Sequence, residues 1–361
     1  MLIGIFGTGR NGSSLITYLL DGLGETYVHP VEEKFLTGFD CVAQNKKILR
    51  SINQNCIDYP LNHINKNVDT SSLNFMQPSI NMFNKHCEET IGDVSKIQIK
   101  NIHSILNKKN YSANNFVIDY LTEISNKAIP NNNFKNYLFK SIETPYIETY
   151  QDIYPDMKFI HIVRNPYDVC SSQKRSLSEN KSLPASYLGF DWLTSMIKYR
   201  WKPHADFLMN NHGKDNHITI RYEDLTKDPE HEIKKIADFL CLEVPPRPTE
   251  QTIFNNLNKI KWGGNPSKKG INMPSTVVNN LQTLNNYEEI LSQRDVDTIS
   301  YAMKDSLDFF GYKMRSNKSK KDILKNYLFI NKDELKHCNT ISKILRGMIG
   351  IFYRRLYLFK L

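Results

Sequence analysis

Residues 3–16 read IGIFGTGRNGSSLI, and no other stretch constrains the fold as tightly. An apolar run from Ile3 to Phe6 enters a loop with glycines at Gly7, Gly9 and Gly12. Beyond it, Leu15, Ile16, Leu19, Leu20 and Leu23 recur at helical spacing. Strand, phosphate-sized loop and helix, in that order, aim backbone N–H groups and a helix N-terminus at an anion. The loop has the frame G-x-x-x-x-G-S-S, a P-loop frame with Ser13 in the position of the usual lysine. The nearest cation is Arg10, inside the loop. Without that lysine the loop is poorly built to transfer a magnesium-bound γ-phosphate. It can still hold a 5′-phosphate that is not itself transferred.

The remaining pattern alternates strands with helices. Thr26–His29, Tyr137–Ile142, Lys158–Val163 and Ile218–Arg221 read as strands. Pro166 stops the third of these and opens a helix running through Ser172. Asp228-Pro229 starts another, with Ile233, Ile236, Ala237, Phe239 and Leu240 on one face. The expected fold is α/β, with a mostly parallel central sheet flanked by helices and a C-terminal helical tail. Ligands of such sheets bind at the carboxyl ends of the strands. Residues 36–135 are Asn-rich and weakly patterned. They read as helices and loops inserted over the sheet, where acceptor specificity resides.

The net charge of +9 is unevenly placed. Residues 316–361 hold 11 Lys/Arg against three carboxylates, while the preceding 315 residues hold 36 basic and 35 acidic ones. The basic balance therefore belongs to the tail and does not mark the body as a nucleic-acid binder. Six scattered cysteines form no C-x-x-C pair and read as reduced thiols, Cys170 as a small buried hydrophobe. A strand beginning at residue 2 is expected to leave no room for a signal peptide, and no run of about 18 uncharged apolar residues occurs. The expected location is the cytoplasm.

Four separated segments agree with one another: Gly7–Ser14, FIHIVRNPYDVCSS at 159–172, IRYEDLTKDP at 220–229 and WGGNPSKKG at 262–270. In this order they resemble the sulfotransferases that use 3′-phosphoadenosine 5′-phosphosulfate (PAPS), over roughly residues 1–315 and ending with FFGY at 309–312. The resemblance implies a P-loop sulfotransferase-like domain over 1–315. It implies that Gly7, Thr8, Gly9, Arg10, Asn11, Gly12, Ser13 and Ser14 bind the 5′-phosphosulfate. Arg164 and Ser172 match the pair that holds the 3′-phosphate; a guanidinium fork with a hydroxyl eight residues on suits a dianion. Tyr222 matches an aromatic residue beside the adenine, with core packing as its ordinary alternative. Lys268, Lys269 and Gly270 match a loop that closes over the nucleotide.

Sulfuryl transfer requires that one proton be removed and that the phosphate bridging oxygen be stabilised. By the resemblance, Arg10 and Lys140, the latter in KSIETP, reach that oxygen. A glutamate after the first helix serves as base, and Glu33 is favoured over Glu32 in HPVEEKF, with His29 as fallback. No metal is required, because fixed cations take the part that magnesium plays in kinases. His161 reads as a packed, hydrogen-bonded histidine. The product would be adenosine 3′,5′-bisphosphate. The carbohydrate and tyrosylprotein branches look nearer than the phenol branch, which makes a glycan or glycolipid the first acceptor to consider.

Two other readings remain at this point. A P-loop kinase or nucleotidase is disfavoured by the missing lysine and by KFIHIV ending in arginine. A non-catalytic binding module would be expected to lose Arg10, Lys140, Arg164 and both glutamates, all of which are present. The tail at 316–361 mixes apolar and basic residues. Residues 341–361 read either as an interfacial helix on an anionic membrane at the inner face or as a packing or homodimerising helix.

Overall fold

The computed structural model describes residues 1–33, 35, 67–69, 81, 84, 110–129, 133–142, 144–179, 193, 196–244 and 287–323. The chain divides into two compact units. The first comprises Met1–Gly7, Gly12–Ile162 and Gly213–Leu281. The second comprises Thr8–Asn11, Val163–His212 and Gln282–Leu361.

The first unit is built on a five-stranded sheet. Its strands are β1 (Leu2–Phe6), β2 (Thr26–Glu32), β5 (Asn136–Ser141), β6 (Lys158–Val163) and β7 (His217–Arg221), in the order β2-β5-β1-β6-β7. The β2/β5, β5/β1 and β1/β6 pairs are parallel. All five residues of β1 are buried, as expected for a central parallel strand covered on both faces. Phe6 packs against Tyr150, Phe159 and Phe139 at ring-centroid distances of 5.1, 5.7 and 6.1 Å. The flanking helices are α1 (Ser13–Leu19), α2 (Ala113–Ala128), α3 (Ile147–Ile153), α6 (Tyr222–Lys227) and α7 (Pro229–Leu240). Asp228 caps α7 by accepting from the His231 N–H, and Pro229 takes the first helical position.

The mostly parallel α/β expectation holds, with two differences. Strand β2 runs on to Glu32, past the expected end at His29. Pro30 lies within it, which an edge strand tolerates because the missing N–H faces no partner, and the register with β5 shifts between Val28 and Glu32. Within 36–135 the structure describes a short antiparallel pair, β3 (Asn67–Asp69) with β4 (Asn110–Ser112), besides helix α2. Helix α2 buries Phe116, Val117, Tyr120, Leu121 and Ile124, an apolar stripe at helical spacing. The rest of that stretch lies outside the described residues.

The second unit is helical. It contains α4 (Pro166–Glu179), a wide turn at Met196–Arg200, α5 (Trp201–Asn210), α8 (Tyr287–Ile290), α9 (Gln293–Ala302) and α10 (Lys304–Phe309). Its core gathers Tyr167, Val169, Cys170, Trp201, Ile299 and Leu307. Burial raises the Cys170 thiol pKa, consistent with the reading of that residue as a small hydrophobe. The Asn165 side chain accepts from the Tyr167 N–H at 3.1 Å and Pro166 opens α4, so the R-N-P corner is a helix start. Helix α9 carries a reciprocal Ser292–Asp295 capping box. Among the described residues no helix is long and apolar enough to cross a membrane.

Candidate active site

Each unit gathers its own set of the residues singled out above. In the first unit, α1 begins at Ser13, directly after Gly12. Gly12 has φ +97°, and a Cβ there would collide with Tyr222 Cδ2 and Cε2. Only glycine serves at this position, for its backbone angle and for the approach of the Tyr222 ring. Tyr222 opens α6 and is 8% exposed, so its ring packs against the loop that the sequence placed on the phosphate.

Lys140 lies on β5, next to the central strand, and its Nζ donates to Ser14 Oγ at 2.7 Å. The side chain is buried, and burial pulls its pKa down to about 8 while the charge of Glu32 opposes the fall. Glu32 is the register partner of Lys140 across β2/β5 and is only half-buried. Glu33 differs from it. It is fully buried, its N–H donates to the Lys140 carbonyl, and its Oε1 is 2.7 Å from His29 Nε2 and 2.9 Å from the Tyr120 hydroxyl. The phenol pKa of Tyr120 is raised well above its ordinary value, first by burial and then by the Glu33 charge.

In the second unit, the segment Thr8–Asn11 brings Arg10 to Ser172, with Arg10 Nε donating to Ser172 Oγ at 3.2 Å. Arg164 Nη1 donates to the Arg10 carbonyl at 3.1 Å, and Trp201 Nε1 donates to the Arg164 carbonyl at 2.9 Å. Arg10 has φ +74°, a left-handed conformation that costs a non-glycine residue of the order of 1 kcal/mol. The Arg164 bond to its carbonyl helps to fix that conformation. Two guanidinium groups and a hydroxyl from two separate stretches of sequence thus form one cationic cluster.

Arg10 and Lys140, paired by the sequence argument at one oxygen, therefore make their described bonds in different sets: Arg10 with Ser172 and Arg164, Lys140 with Ser14. Lys268, Lys269 and Gly270 lie outside the described residues, as does the tail from residue 324 onward. Among the described residues, no group of three or more His, Cys, Asp or Glu is arranged to hold a metal ion. His161 is packed as expected, its Nε2 2.7 Å from His217 Nδ1 and its ring stacked on His217 and Phe159. Burial lowers the His217 pKa to about 4, which keeps that imidazole uncharged at neutral pH. The residue that sequence reasoning missed is Tyr120, and no local motif marks it.

A model described as "Sulfotransferase family" matches residues 3–246. The chain belongs to the sulfotransferase family. The matched region takes in the opening loop, both glutamates, Lys140, the R-N-P corner and Tyr222. Among solved structures similar to this sulfotransferase is the sulfotransferase domain of the Synechococcus PCC 7002 olefin synthase. It is 15% identical, with 87% of this chain and 95% of that chain covered and a TM-score of 0.48. The sulfotransferase domain of the curacin biosynthetic pathway is also 15% identical, covering 87% of this chain and 98% of that one, with a TM-score of 0.45. Retinol dehydratase, solved with androsterone and the inactive cofactor PAP, is 12% identical over 87% of this chain and 82% of that chain, with a TM-score of 0.37.

Proposed function

We propose that this sulfotransferase uses PAPS as donor and delivers the sulfuryl group to a hydroxyl or amine, first of all on a glycan or glycolipid. The acceptor oxygen attacks sulfur, the sulfur–oxygen bond to the 5′-phosphate breaks, and adenosine 3′,5′-bisphosphate leaves with the electron pair. The acceptor's proton passes to a glutamate, for which Glu33 is the candidate. Lys140 and Ser14 offer a cation and a hydroxyl to the 5′ end.

The observation that carries this reading is the cluster of Arg164, Arg10 and Ser172. Its two fixed guanidinium groups and one hydroxyl suit a dianionic phosphate monoester. A 3′-phosphate is such a group, and ATP has none. A kinase would have no use for it, which weighs against the nucleotide-kinase reading together with the missing loop lysine. A binding module without catalysis would not need the buried Lys140 or Glu33.

Isothermal titration tests the donor assignment. Adenosine 3′,5′-bisphosphate should bind without magnesium and at least tenfold more tightly than ATP with magnesium. Arg164→Ala should weaken the first at least tenfold and leave the second unchanged. Equal binding of the two nucleotides, or an Arg164→Ala variant with unaltered affinity, would refute it. Labelled PAPS with a panel of glycans, lipids and peptides then identifies the acceptor. Residues 341–361 belong to the same reading as a peripheral contact with an anionic membrane. Truncation after Arg315 should abolish flotation with acidic vesicles, and unchanged flotation would remove that part.

A further inference from the structure

The carboxylate of Glu33 is held asymmetrically. Oε1 has two neighbours, the Tyr120 hydroxyl at 2.9 Å and His29 Nε2 at 2.7 Å. Oε2 is buried and has no hydrogen-bond partner among the described residues. A buried polar atom in that condition costs about 1–3 kcal/mol, and more when it is charged. Such atoms are rare, and one cause of their persistence is a catalytic role.

The groups around Oε1 are packed into the core. Tyr120 sits on α2 and is fully buried, its ring stacked on Phe116 and edge-on to Phe35 at 5.4 Å. His29 is also fully buried, and its Nδ1 lies 3.3 Å from the Tyr27 hydroxyl. With Tyr27 donating to Nδ1, His29 carries its proton on Nε2 and donates to Glu33. Both partners of Oε1 are then donors, and that oxygen has little capacity left to accept a proton from elsewhere.

We propose that Tyr120 and His29 are positioning residues that immobilise Glu33 through Oε1, leaving Oε2 as the one atom that receives the acceptor's proton. The proposal rests on the reading of Glu33 as the base. It also separates the two adjacent glutamates. Glu32, half-buried and in register with Lys140, serves as counter-charge to that lysine and does not take the proton. The titratable groups on the elements that meet here are Tyr27, His29 and Glu32 of β2, Asp119, Tyr120, Glu123 and Lys127 of α2, and Tyr137 and Lys140 of β5.

The test combines a titration that needs no acceptor with kinetics on the acceptor that the panel above identifies. In protein labelled with 13C at the glutamate carboxyl, the Glu33 resonance is assigned by its loss in Glu33→Gln and followed against pH. Tyr120→Phe should raise its midpoint by about one pH unit, the loss of one charge-assisted hydrogen bond. It should also lower kcat about tenfold with KM for PAPS unchanged. An unmoved midpoint with wild-type kcat, alongside an inactive Glu33→Gln, would overturn the proposal and leave the base reading standing. An active Glu33→Gln would overturn both. Should Tyr120→Phe lose its native circular dichroism, the pair His29→Ala and His29→Gln decides. Recovery of turnover in the glutamine variant, which keeps a donor, supports the proposal, and equal turnover in the two overturns it.

Discussion

Between pH 7 and pH 9, Lys140 should lose its proton while the arginines keep theirs. Burial lowers its pKa to about 8, and Glu32, its register partner, offsets only part of the fall. The lysine is therefore about nine-tenths charged at pH 7 and about one-tenth charged at pH 9. If the cation grips the donor's 5′ end, kcat/KM for PAPS should drop about tenfold over that interval, because this ratio reports ionisations of the free enzyme. Lys140→Met should be slow throughout and lack the alkaline limb, and Lys140→Arg should push the limb beyond pH 10, since guanidinium does not titrate there. The assay is initial-rate kinetics with labelled PAPS at constant ionic strength. A wild-type profile flat to pH 10, or a limb near pH 8 that survives in Lys140→Met, would refute the assignment. The same shift acts on stability. The unfolded chain keeps this proton up to about 10.5 and the folded one loses it near 8. Between those values the unfolded state binds more protons, so this group makes the fold more stable with rising pH, by up to about 1.4 kcal/mol per unit.

Two mutations test the framework that carries these groups. Gly12→Ala sets a Cβ against the Tyr222 ring at φ +97°, and it should destabilise the protein by about 2 kcal/mol or more in urea unfolding and abolish nucleotide binding. Asp228→Ala removes the side-chain acceptor at the start of α7 and should cost about 1 kcal/mol in the same assay, with donor affinity unchanged.

The strand–loop–helix at the chain start, KFIHIV and the R-N-P corner were legible because each is specified locally. An unbroken apolar run, a glycine-rich loop and a proline at a helix start need no distant partner to be recognised. Arg164 and Ser172 were matched through the family resemblance, and in the structure each meets Arg10, Ser172 through its hydroxyl and Arg164 through the Arg10 carbonyl. The bond from Arg10 to Ser172 spans 162 residues of sequence, and nothing near either residue announces it. Tyr120 was invisible for a different reason. At helical spacing a tyrosine reads as core, which it is, and only the meeting of α2 with β2 puts its hydroxyl on Glu33. Strand β2 runs three residues beyond the expected Thr26–His29, and its edge position tolerates the N–H that Pro30 lacks.

Strand β1 is translated before all its neighbours and occupies the middle of the sheet, with Leu2 opposite Tyr137 and Ile3 opposite Lys158. At ordinary ribosome speeds the nascent chain carries this greasy ribbon for on the order of ten seconds before either flank has been synthesised. Chaperone holding during synthesis, and aggregation when it fails, follow directly from that order of birth.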